Sequence, residues 1–389
     1  MKRRKISRAL FSLLIIVILL FSVYFVICFS DNFNNSIDNM HDDNIERNSI
    51  VISMVGDMLV HDSLYNDAWS SEDNKYNFYK YLPYVKSMIK DADIAYYNQE
   101  TILGGSSIGL SSYPSFNSPQ EVGDAMIDAG FNTVSLATNH TLDRGEKAVL
   151  LSREYWNRQK DVLAIGSYSS NEEKKNFENT IRECNNIKYA FLNYTYGTNG
   201  IDIPDNKDYL VNLIDKDRIS NDIDRLRDKV DLLIVAMHWG VEYTHNPTDS
   251  QRELAKFLAD KGVDIVIGTH PHVIQPVEFI GDTLVFYSLG NFMSAQKSEM
   301  CYNYKCFIGM LSSVTFTVTK DGNVKKKSID DVNNELIYTY HNNYKDFMVV
   351  GLSDNDIYKY LDNYHDVYNR YADIIRSSDK RIHTAVLSS

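Results

Sequence analysis

Five runs of apolar, mostly β-branched residues recur along the chain, and a short polar cluster directly follows each run. Apolar runs of this length predict strands that are buried on both faces. Helical spacing between most of the runs predicts strand–helix–strand units, and therefore an α/β fold. The runs and clusters are residues 50–55 before Gly56 and Asp57, residues 93–97 before Asn98, Gln99 and Glu100, residues 133–137 before Thr138, Asn139 and His140, residues 232–236 before Met237, His238, Trp239 and Gly240, and residues 263–267 before Gly268, Thr269, His270, Pro271 and His272.

The polar clusters share a predicted position as well as a chemistry. The carboxyl ends of parallel strands meet at one edge of a sheet, which is where open α/β folds bind ligands. Carboxylates, amides and imidazoles collected at such an edge are suitable ligands for a metal ion. The pattern therefore predicts a metal site at the carboxyl edge of a mainly parallel sheet.

The segments between the runs carry signals for helices and further strands. Pro119 favours the first turn of a helix that Gly130 ends, and Gly262 ends another helix. Right-handed crossovers are expected between the parallel strands. The predicted helices cover residues 78–90, 119–130, 145–159, 249–260 and 354–375, whereas residues 283–287 and 310–318 either extend the sheet or begin a second one.

The N-terminus has the pattern of a membrane anchor. Residues 1–8 are basic and predict a cytoplasmic tail, and residues 9–29 are almost wholly apolar, about the length needed to cross a bilayer as a helix. The alternative is a cleaved signal peptide, but its apolar region is normally shorter and ends in small residues. Residues 30–48 predict a flexible stalk before an extracellular domain at 49–330, with a helical extension at 331–389.

Charge and cysteine content narrow the function classes. The net charge is −12, and because residues 1–8 carry five positive charges, the remainder is near −17. This excess of acidic residues argues against nucleic acid as a partner and repels polyanions unless bound cations offset it. Cys301 and Cys306 either form a small extracellular disulfide or remain free thiols, and Cys184 has no evident partner.

Each candidate residue in the first two clusters has a structural alternative. Asp57 follows a glycine that permits a sharp turn, and it either presents its carboxylate to a ligand or caps the next helix. Glu100 is either a ligand or a capping or salt-bridged residue. His61, four residues after Asp57, is either a ligand or merely hydrogen-bonded.

The third cluster predicts acid–base chemistry. Asn139 offers a neutral oxygen ligand, and the adjacent His140 can donate a proton to a leaving group. Asp143 can orient that imidazole and favour its protonated form, or it can cap the following helix, or do both.

The two histidines of the last cluster give the strongest single indication of a site. In an extended segment alternate residues point the same way, and Pro271 favours extended geometry at His270, so His270 and His272 can converge. His238 adds an imidazole at another strand end, with Glu242 close by.

Three neighbouring features have weaker indications. Trp239 is expected to pack beside the site. Asn291 follows Gly290 in a tight turn that either shapes the pocket wall or takes part directly. The loop of residues 194–200, rich in glycine and asparagine, can contact substrate.

Taken together, these motifs resemble those of the CapA family, which is associated with poly-γ-glutamate capsule synthesis and export. The resemblance runs in consistent order over residues 50–318, and the family in turn resembles calcineurin-like metallophosphoesterases. It implies a two-metal site in a β-sandwich flanked by helices. The motifs are Gly56-Asp57, Asn98-Gln99-Glu100, the run from Ala137 to Gly145, His238-Trp239-Gly240 with Glu242, Gly268-Thr269-His270-Pro271-His272-Val273 and Tyr287-Ser288-Leu289-Gly290-Asn291-Phe292.

The resemblance also implies a role for each matching residue. The implied first-metal ligands are Asp57 and His272, the implied bridging ligand is Glu100, the implied second-metal ligands are Asn139, His238 and His270, and the implied proton donor is His140. Three departures leave the metal count at one or two. Leu59 stands where the phosphoesterase pattern has histidine, Glu100 replaces an aspartate, and Glu242 is an addition.

We expect a membrane-anchored, metal-dependent hydrolase or transferase that acts on a phosphoester or a γ-glutamyl polymer with one or two Mn, Fe or Zn ions. The main alternative is a non-enzymatic, metal-containing subunit that binds and exports an anionic envelope polymer beside capsule-synthesis membrane subunits. A third interpretation, in which the clusters only cap helices, requires many coincidences.

Overall fold

A computed structural model of the chain describes residues 45–297, 301 and 305–387, which form a mixed α/β fold. The structure divides into two compact units, a small one holding the described residues 45–48 and 318–327 and a large one holding the rest. The predicted cytoplasmic tail, the membrane segment at 9–29 and most of the stalk lie outside the described residues. Within the described part, every helix is too short or too polar to cross a bilayer.

Seventeen strands are described, together with α-helices and single 3₁₀ turns. The strands are β1 (Ile45–Leu59), β2 (Trp69–Ser70), β3 (Lys75–Tyr76), β4 (Ile94–Gln99), β5 (Thr133–Ser135), β6 (Leu163–Ile165), β7 (Arg182–Cys184), β8 (Ile187–Thr195), β9 (Leu232–His238), β10 (Ile265–Thr269), β11 (Val277–Ile280), β12 (Thr283–Phe286), β13 (Asn291–Ser294), β14 (Ile308–Asp321), β15 (Val324–Asn342), β16 (Lys345–Gly351) and β17 (His383–Thr384). The α-helices are Asp62–Ala68, Val85–Met88, Glu121–Ala129, Gly145–Arg158, Asn171–Glu178, Lys216–Leu226, Asp249–Asp260 and Tyr364–Ile375. The 3₁₀ turns are Tyr79–Tyr81, Ser106–Ile108, Arg227–Lys229 and Ile357–Lys359.

Most strands belong to two sheets. The nine-stranded sheet has the order β16-β15-β14-β1-β4-β5-β6, with β13 paired to β1 and β17 to β15. Its strands β1, β4, β5 and β6 run parallel to one another. The six-stranded sheet has the order β11-β12-β10-β9-β8-β7, with the four central strands parallel and the two edge pairs antiparallel. The apolar runs thus form parallel strands, as predicted. They lie in two sheets, which agrees with the sandwich that the family resemblance implies, whereas the pattern alone predicts one sheet.

The two sheets face each other, and helices cover their outer faces. Alternate residues of β4 separate the layers: Tyr96 stacks on Phe191 of β8, with ring centroids 5.8 Å apart, while Tyr97 packs in the apolar core under Glu121–Ala129. In the second sheet, Val235 of β9 packs in a separate core under the helices Lys216–Leu226 and Asp249–Asp260. The arrangement is a sandwich of sheets between helices.

Three predicted helices are confirmed with nearly the predicted limits, and the prediction of one helix over residues 78–90 is wrong in part. The confirmed helices are Glu121–Ala129, Gly145–Arg158 and Asp249–Asp260. Residues 78–90 instead form a 3₁₀ turn and the short helix Val85–Met88. Pro83 lies between them and disrupts a continuous helix, because it lacks an N–H and disfavours helical geometry at the preceding residue.

The predicted helical extension at 331–389 is also corrected. Its first part belongs to β15 and β16, which pair antiparallel at the edge of the nine-stranded sheet, and only Tyr364–Ile375 is an α-helix of the expected kind. Residues 336–340 are mostly apolar, aromatic or β-branched and therefore favour a strand. Asn343 and Tyr344, with φ of 49° and 59°, make the tight turn between the two strands.

Candidate metal centre

The predicted ligands meet where the two sheets face each other at the carboxyl ends of their strands. Asp57 and Glu100 come from β1 and the end of β4 in one sheet, and His238 and His270 come from β9 and the end of β10 in the other. A hydrogen bond joins the two sides, because the backbone N–H of His270 donates to Asp57 Oδ2 at 3.2 Å. The prediction of a single sheet edge is therefore corrected to a site shared by two edges.

One group of potential ligands consists of Asp57, Glu100 and His272, whose ligand atoms lie within 4.8 Å of one another. His272 Nδ1 is 3.5 Å from Asp57 Oδ2 and 3.6 Å from Glu100 Oε2. All three side chains are buried. Two carboxylates and an imidazole at these distances form a suitable set of donors for a divalent cation.

A second group consists of Glu100, His238 and His270 and also lies within 4.8 Å. Glu100 Oε1 is 3.8 Å from His238 Nε2, and the side-chain oxygen of Asn139 lies 2.8 Å from the same nitrogen. Glu100 is common to both groups, as a bridging ligand requires. Within the described residues, neither Glu100 oxygen nor His270 Nδ1 has a hydrogen-bond partner. Such unsatisfied buried atoms are costly unless a ligand satisfies them, so this donor set fits a metal ion.

The electrostatics of the group depend on burial and mutual charge. Burial and the neighbouring Asp57 raise the pKa of Glu100 well above its usual value. Burial lowers the pKa of His272, but the charges of Glu100 and Asp57 outweigh it, and the pKa rises to about 9. Burial and neighbouring histidines lower the pKa values of His238 and His270 well below the ordinary range. A divalent cation held by these side chains would compete with protons for the same carboxylate and imidazole atoms.

Two residues of the predicted clusters, to which no individual role was assigned, support the ligands. Asn98 donates its side-chain N–H to Asp57 Oδ1 at 2.8 Å and accepts a 2.6 Å hydrogen bond from Ser135. Thr269 Oγ1 lies 2.9 Å from His238 Nδ1, which leaves Nε2 facing Glu100. The position of Asn98 two residues before Glu100 is a signal for its role, because alternate residues of a strand share a face.

Gly56 allows β1 to approach the segment before β13. A Cβ at residue 56 would lie 1.7 Å from the carbonyl oxygen of Gly290, and that oxygen accepts a 3.0 Å hydrogen bond from Asp57 N–H. The expected sharp turn at Gly56 is therefore wrong, since the residue lies inside β1 and the constraint is close packing. Asp57 does not cap the next helix either, because His61 occupies the N-cap position of Asp62–Ala68.

The two histidines of the last cluster converge, but not through extended backbone. His270 has φ of 97° and His272 has φ of 59°, both in the left-handed region that non-glycine residues rarely adopt. Their ring centroids are 5.8 Å apart. Residues held in this region cost energy and occur preferentially at functional sites, which is consistent with a backbone shaped around a ligand.

His140 and Asp143 form a buried pair beside the second group. Asp143 Oδ2 lies 2.7 Å from His140 Nδ1 and also accepts the backbone N–H of Phe116 at 2.7 Å. With Nδ1–H donated to a carboxylate, Nε2 is the nitrogen available to a substrate. Asp143 does not cap the helix that begins at Gly145, so the pairing alternative is the one observed.

The loop of residues 194–200 reaches this pair. Asn199 accepts a 3.2 Å hydrogen bond from the side chain of Asn139, and its amide nitrogen lies 3.3 Å from His140 Nδ1. Tyr196 lies over His270, with ring centroids 4.6 Å apart. The loop therefore borders the site through Asn199 and Tyr196.

The remaining predicted residues lie around the centre in different ways. Asn291 Oδ1 is 3.1 Å from His272 Nδ1, so Asn291 orients that imidazole. His61 belongs to none of the three potential ligand groups in the described residues, and Ala295 N–H points to its Nδ1 at 3.3 Å. Glu242 is exposed and forms a third group with His270 and His272.

Trp239 and the pair of Cys301 and Cys306 lie close to the site. Trp239 is buried and donates its indole N–H to the carbonyl of Tyr287 at 2.9 Å, which confirms that it packs beside the site. Cys301 and Cys306 form the disulfide, and the Cys306 carbonyl accepts a 2.9 Å hydrogen bond from the Asn291 amide.

The sequence matches the bacterial capsule synthesis protein family PGA_cap over residues 51–296, which include the ligand groups and the His140–Asp143 pair. The chain belongs to this family. The expected CapA resemblance is confirmed, and the PGA_cap assignment covers the part of the large unit that carries the site.

Named relatives of this PGA_cap protein come from two bacilli. The chain is 32% identical over 180 residues to the PGA biosynthesis protein CapA of Bacillus subtilis (strain 168), covering 43% of this chain and 44% of the relative. It is 31% identical over 186 residues to the capsule biosynthesis protein CapA of Bacillus anthracis, covering 46% of this chain and 43% of the relative. The matched segments thus span less than half the length of these relatives.

Among solved structures, the chain is similar to the calcineurin-like phosphoesterase YfkN from Bacillus subtilis. The similarity has a TM-score of 0.43 and 13% identity, and it covers 83% of this chain and 99% of that one.

Proposed function

We propose that this PGA_cap protein is a metal-dependent hydrolase or transferase acting on a phosphoester or γ-glutamyl polymer in capsule synthesis or export. The observation that carries the proposal is the position of Glu100. Its two oxygens have no hydrogen-bond partner among the described residues, and it is shared by two groups of potential metal ligands. A buried bridging carboxylate between two imidazole-containing groups suits one or two divalent ions such as Mn, Fe or Zn.

The chain offers a ligand set for each ion. Asp57, Glu100 and His272 would hold one, and Glu100, His238 and His270 the other, with Asn139 supplying an amide oxygen. A bound divalent ion lowers the pKa of a coordinated water from ~16 towards ~7 and stabilises negative charge. Asn98 would keep the Asp57 carboxylate turned towards its ion.

His140 would supply the proton that the leaving group requires. Its Nδ1–H is directed to Asp143, so Nε2 would deliver the proton to the departing oxygen or nitrogen. Asp143 would keep the ring in one orientation and one tautomer. The two side chains have little solvent exposure, 8% for His140 and 2% for Asp143.

We also propose that the protein is anchored in the cell membrane and acts outside the cell. Five basic residues before the apolar segment 9–29 support a single-pass anchor with the N-terminus in the cytoplasm and the main domain outside the cell membrane. The names of the CapA relatives support an anionic envelope polymer such as poly-γ-glutamate as substrate, with capsule-synthesis membrane subunits as partners. Metal ions would offset the repulsion between that polymer and an acidic protein.

The deciding experiment measures metal and turnover on the same preparations. Purified full-length protein, Asp57→Ala and His272→Ala are analysed for bound Mn, Fe and Zn and tested on phosphoesters and γ-glutamyl amides. We expect one or two equivalents of metal and measurable turnover in the wild-type protein, and loss of both in the variants. Asp228→Ala, which removes an exposed helical-turn carboxylate, is the matched control and should behave as wild type.

Two results would reject the proposal. Wild-type protein that takes up none of these ions after incubation would remove its basis. Metal-loaded protein that binds poly-γ-glutamate but cleaves or transfers none of the test compounds would favour the polymer-binding export subunit instead.

A further inference from the structure

Glu242 is the one member of the three ligand groups that solvent reaches freely. Asp57 and Glu100 are 0% and 1% exposed, and His270 and His272 are 3% and 2% exposed, whereas Glu242 is an exposed residue. A metal site that is buried to this degree requires an entry path for the ion. Glu242 therefore lies where an ion from solvent would first meet the site.

The third group shares two ligands with the inner groups. Glu242, His270 and His272 have ligand atoms within 4.8 Å of one another, and each histidine also belongs to a group that contains Glu100. An ion held by Glu242 and the two imidazoles could therefore exchange one carboxylate for the other while it keeps histidine ligands. His270 Nδ1, buried and without a hydrogen-bond partner in the described residues, is a donor still unused.

The backbone holds Glu242 beside the histidines. The N–H of Tyr243 donates to the carbonyl of Pro271 at 2.8 Å, so the residue after Glu242 is bonded to the residue between the two histidines. Gln296 donates to the Tyr243 hydroxyl at 3.0 Å, and Lys305 donates to the Tyr243 carbonyl. Tyr243 itself has φ of 63°, a left-handed geometry that these bonds maintain. The backbone next to Glu242 is thus held in place by contacts of Tyr243 with Pro271, Gln296 and Lys305.

We propose that Glu242, His270 and His272 form an outer cation site through which a divalent ion passes on its way to Glu100. This inference rests on the proposed function, because it assumes that the inner groups bind metal. Glu242 attracts the ion from solvent and gives it a first carboxylate ligand. Transfer to Glu100 then removes Glu242 from the ligand set and returns it to solvent.

Rates of metal uptake test this proposal separately from the inner site. Full-length protein is stripped with a chelator and mixed with Co²⁺ in a stopped-flow instrument, and the visible absorbance of bound Co²⁺ is followed. Removal of the outer carboxylate in Glu242→Gln should slow uptake by about tenfold, the lower end of the roughly 10–10³-fold gain in association rate that charge-lined clefts give. The final number of bound ions should equal that of the wild-type protein.

Two controls and two contrary outcomes sharpen the test. Glu253→Gln removes an exposed carboxylate from the helix Asp249–Asp260 and should load at the wild-type rate, while Glu242→Asp keeps the charge and should load faster than Glu242→Gln. Uptake by Glu242→Gln at the wild-type rate would overturn the proposal. A lower final stoichiometry would also overturn it, because Glu242 would then be a permanent ligand. Absence of uptake by the wild-type protein would instead reject the proposed function.

Discussion

Asn98 donates a 2.8 Å hydrogen bond to Asp57 Oδ1, and the other oxygen of that carboxylate accepts the backbone N–H of His270 from the opposite sheet. Each carboxylate oxygen therefore has a fixed donor, and the Asp57 side chain is oriented before any ligand arrives. Ser135 holds Asn98 in turn, through a 2.6 Å hydrogen bond to its side-chain oxygen. The position of this potential ligand is thus set by both sheets.

The first prediction concerns Asn98. Asn98→Ala should weaken divalent-metal binding by about 10–100-fold, because loss of a residue that orients a ligand has effects of this size. Isothermal titration of the metal-free protein with Mn²⁺ measures the change. Asn176→Ala, in an exposed position on the helix Asn171–Glu178, is the control. Unchanged affinity in Asn98→Ala would show that Asp57 orientation does not contribute.

The second prediction concerns His140. His140→Ala should lower the turnover of any cleaved test substrate by about 10²–10⁴-fold while the metal content stays unchanged, because the residue acts on protons and not on the ion. The turnover of Asp143→Asn should lie between that of His140→Ala and that of the wild-type protein. His365→Ala, an exposed histidine, should be fully active. Full turnover by His140→Ala would remove this residue from the proposed mechanism.

A third prediction follows from the close approach of Gly56 to Gly290. Gly56→Ala places a methyl group 1.7 Å from the carbonyl oxygen of Gly290, so the backbone of β1 or of the segment at Gly290 must shift. We expect the free energy of unfolding to fall by about 1–3 kcal/mol, the usual cost of overpacking. Urea denaturation measures it. Gly197→Ala should be nearly neutral, since no atom lies within 4 Å of its added Cβ. Equal stability of the two variants would contradict the packing argument.

A fourth prediction concerns stability in acid. Burial lowers the pKa of His61 to about 4 from an ordinary value of 6.5. The unfolded chain therefore takes up this proton more readily than the folded chain between pH 6.5 and 4, and the stability present above pH 6.5 is lost as the pH falls through this window. His61 should account for about 2–3 kcal/mol of the loss.

His61→Gln tests this prediction, because glutamine keeps a polar side chain but does not titrate. The difference in unfolding free energy between pH 7.5 and pH 4.5 should be smaller by that amount in His61→Gln than in the wild-type protein. The variant His365→Gln, which changes an exposed histidine, should show the same difference in unfolding free energy between the two pH values as the wild-type protein. Identical pH dependence in His61→Gln and wild type would show that the ring is not buried in its neutral form.

A fifth prediction concerns the thiols. The chain has four cysteines, and Cys301 is bonded to Cys306 while Cys184 is free. Denatured, unreduced full-length protein should react with about two equivalents of a maleimide, and reduced protein with about four, since a disulfide is closed to thiol reagents. Mass spectrometry counts the labels. Four labels before reduction would show that the pair is open.

The sequence predicted the strand ends and the chemistry of the site, but it was least reliable about the backbone that connects them. Asp57, Glu100, His238 and His270 were found because each follows an apolar run, which is a local pattern. Residues 78–90 were predicted as one helix although Pro83 interrupts them. His270 and His272 were expected in extended geometry, but both are left-handed, because contacts distant in sequence maintain that geometry.

By itself, the sequence determined which segments are buried strands and which residue types stand at their ends. Apolar periodicity and residue chemistry are properties of neighbouring positions, so both can be read along the chain. The family resemblance implied a sandwich and a bridging Glu100, but only the tertiary structure decided which sheet contributes each cluster, how close the ligand atoms lie, and that Glu242 stands at the surface of the third group. These relations join residues that are far apart along the chain, such as Asp57 and His270 at 213 positions, and their distances depend on how the sheets pack.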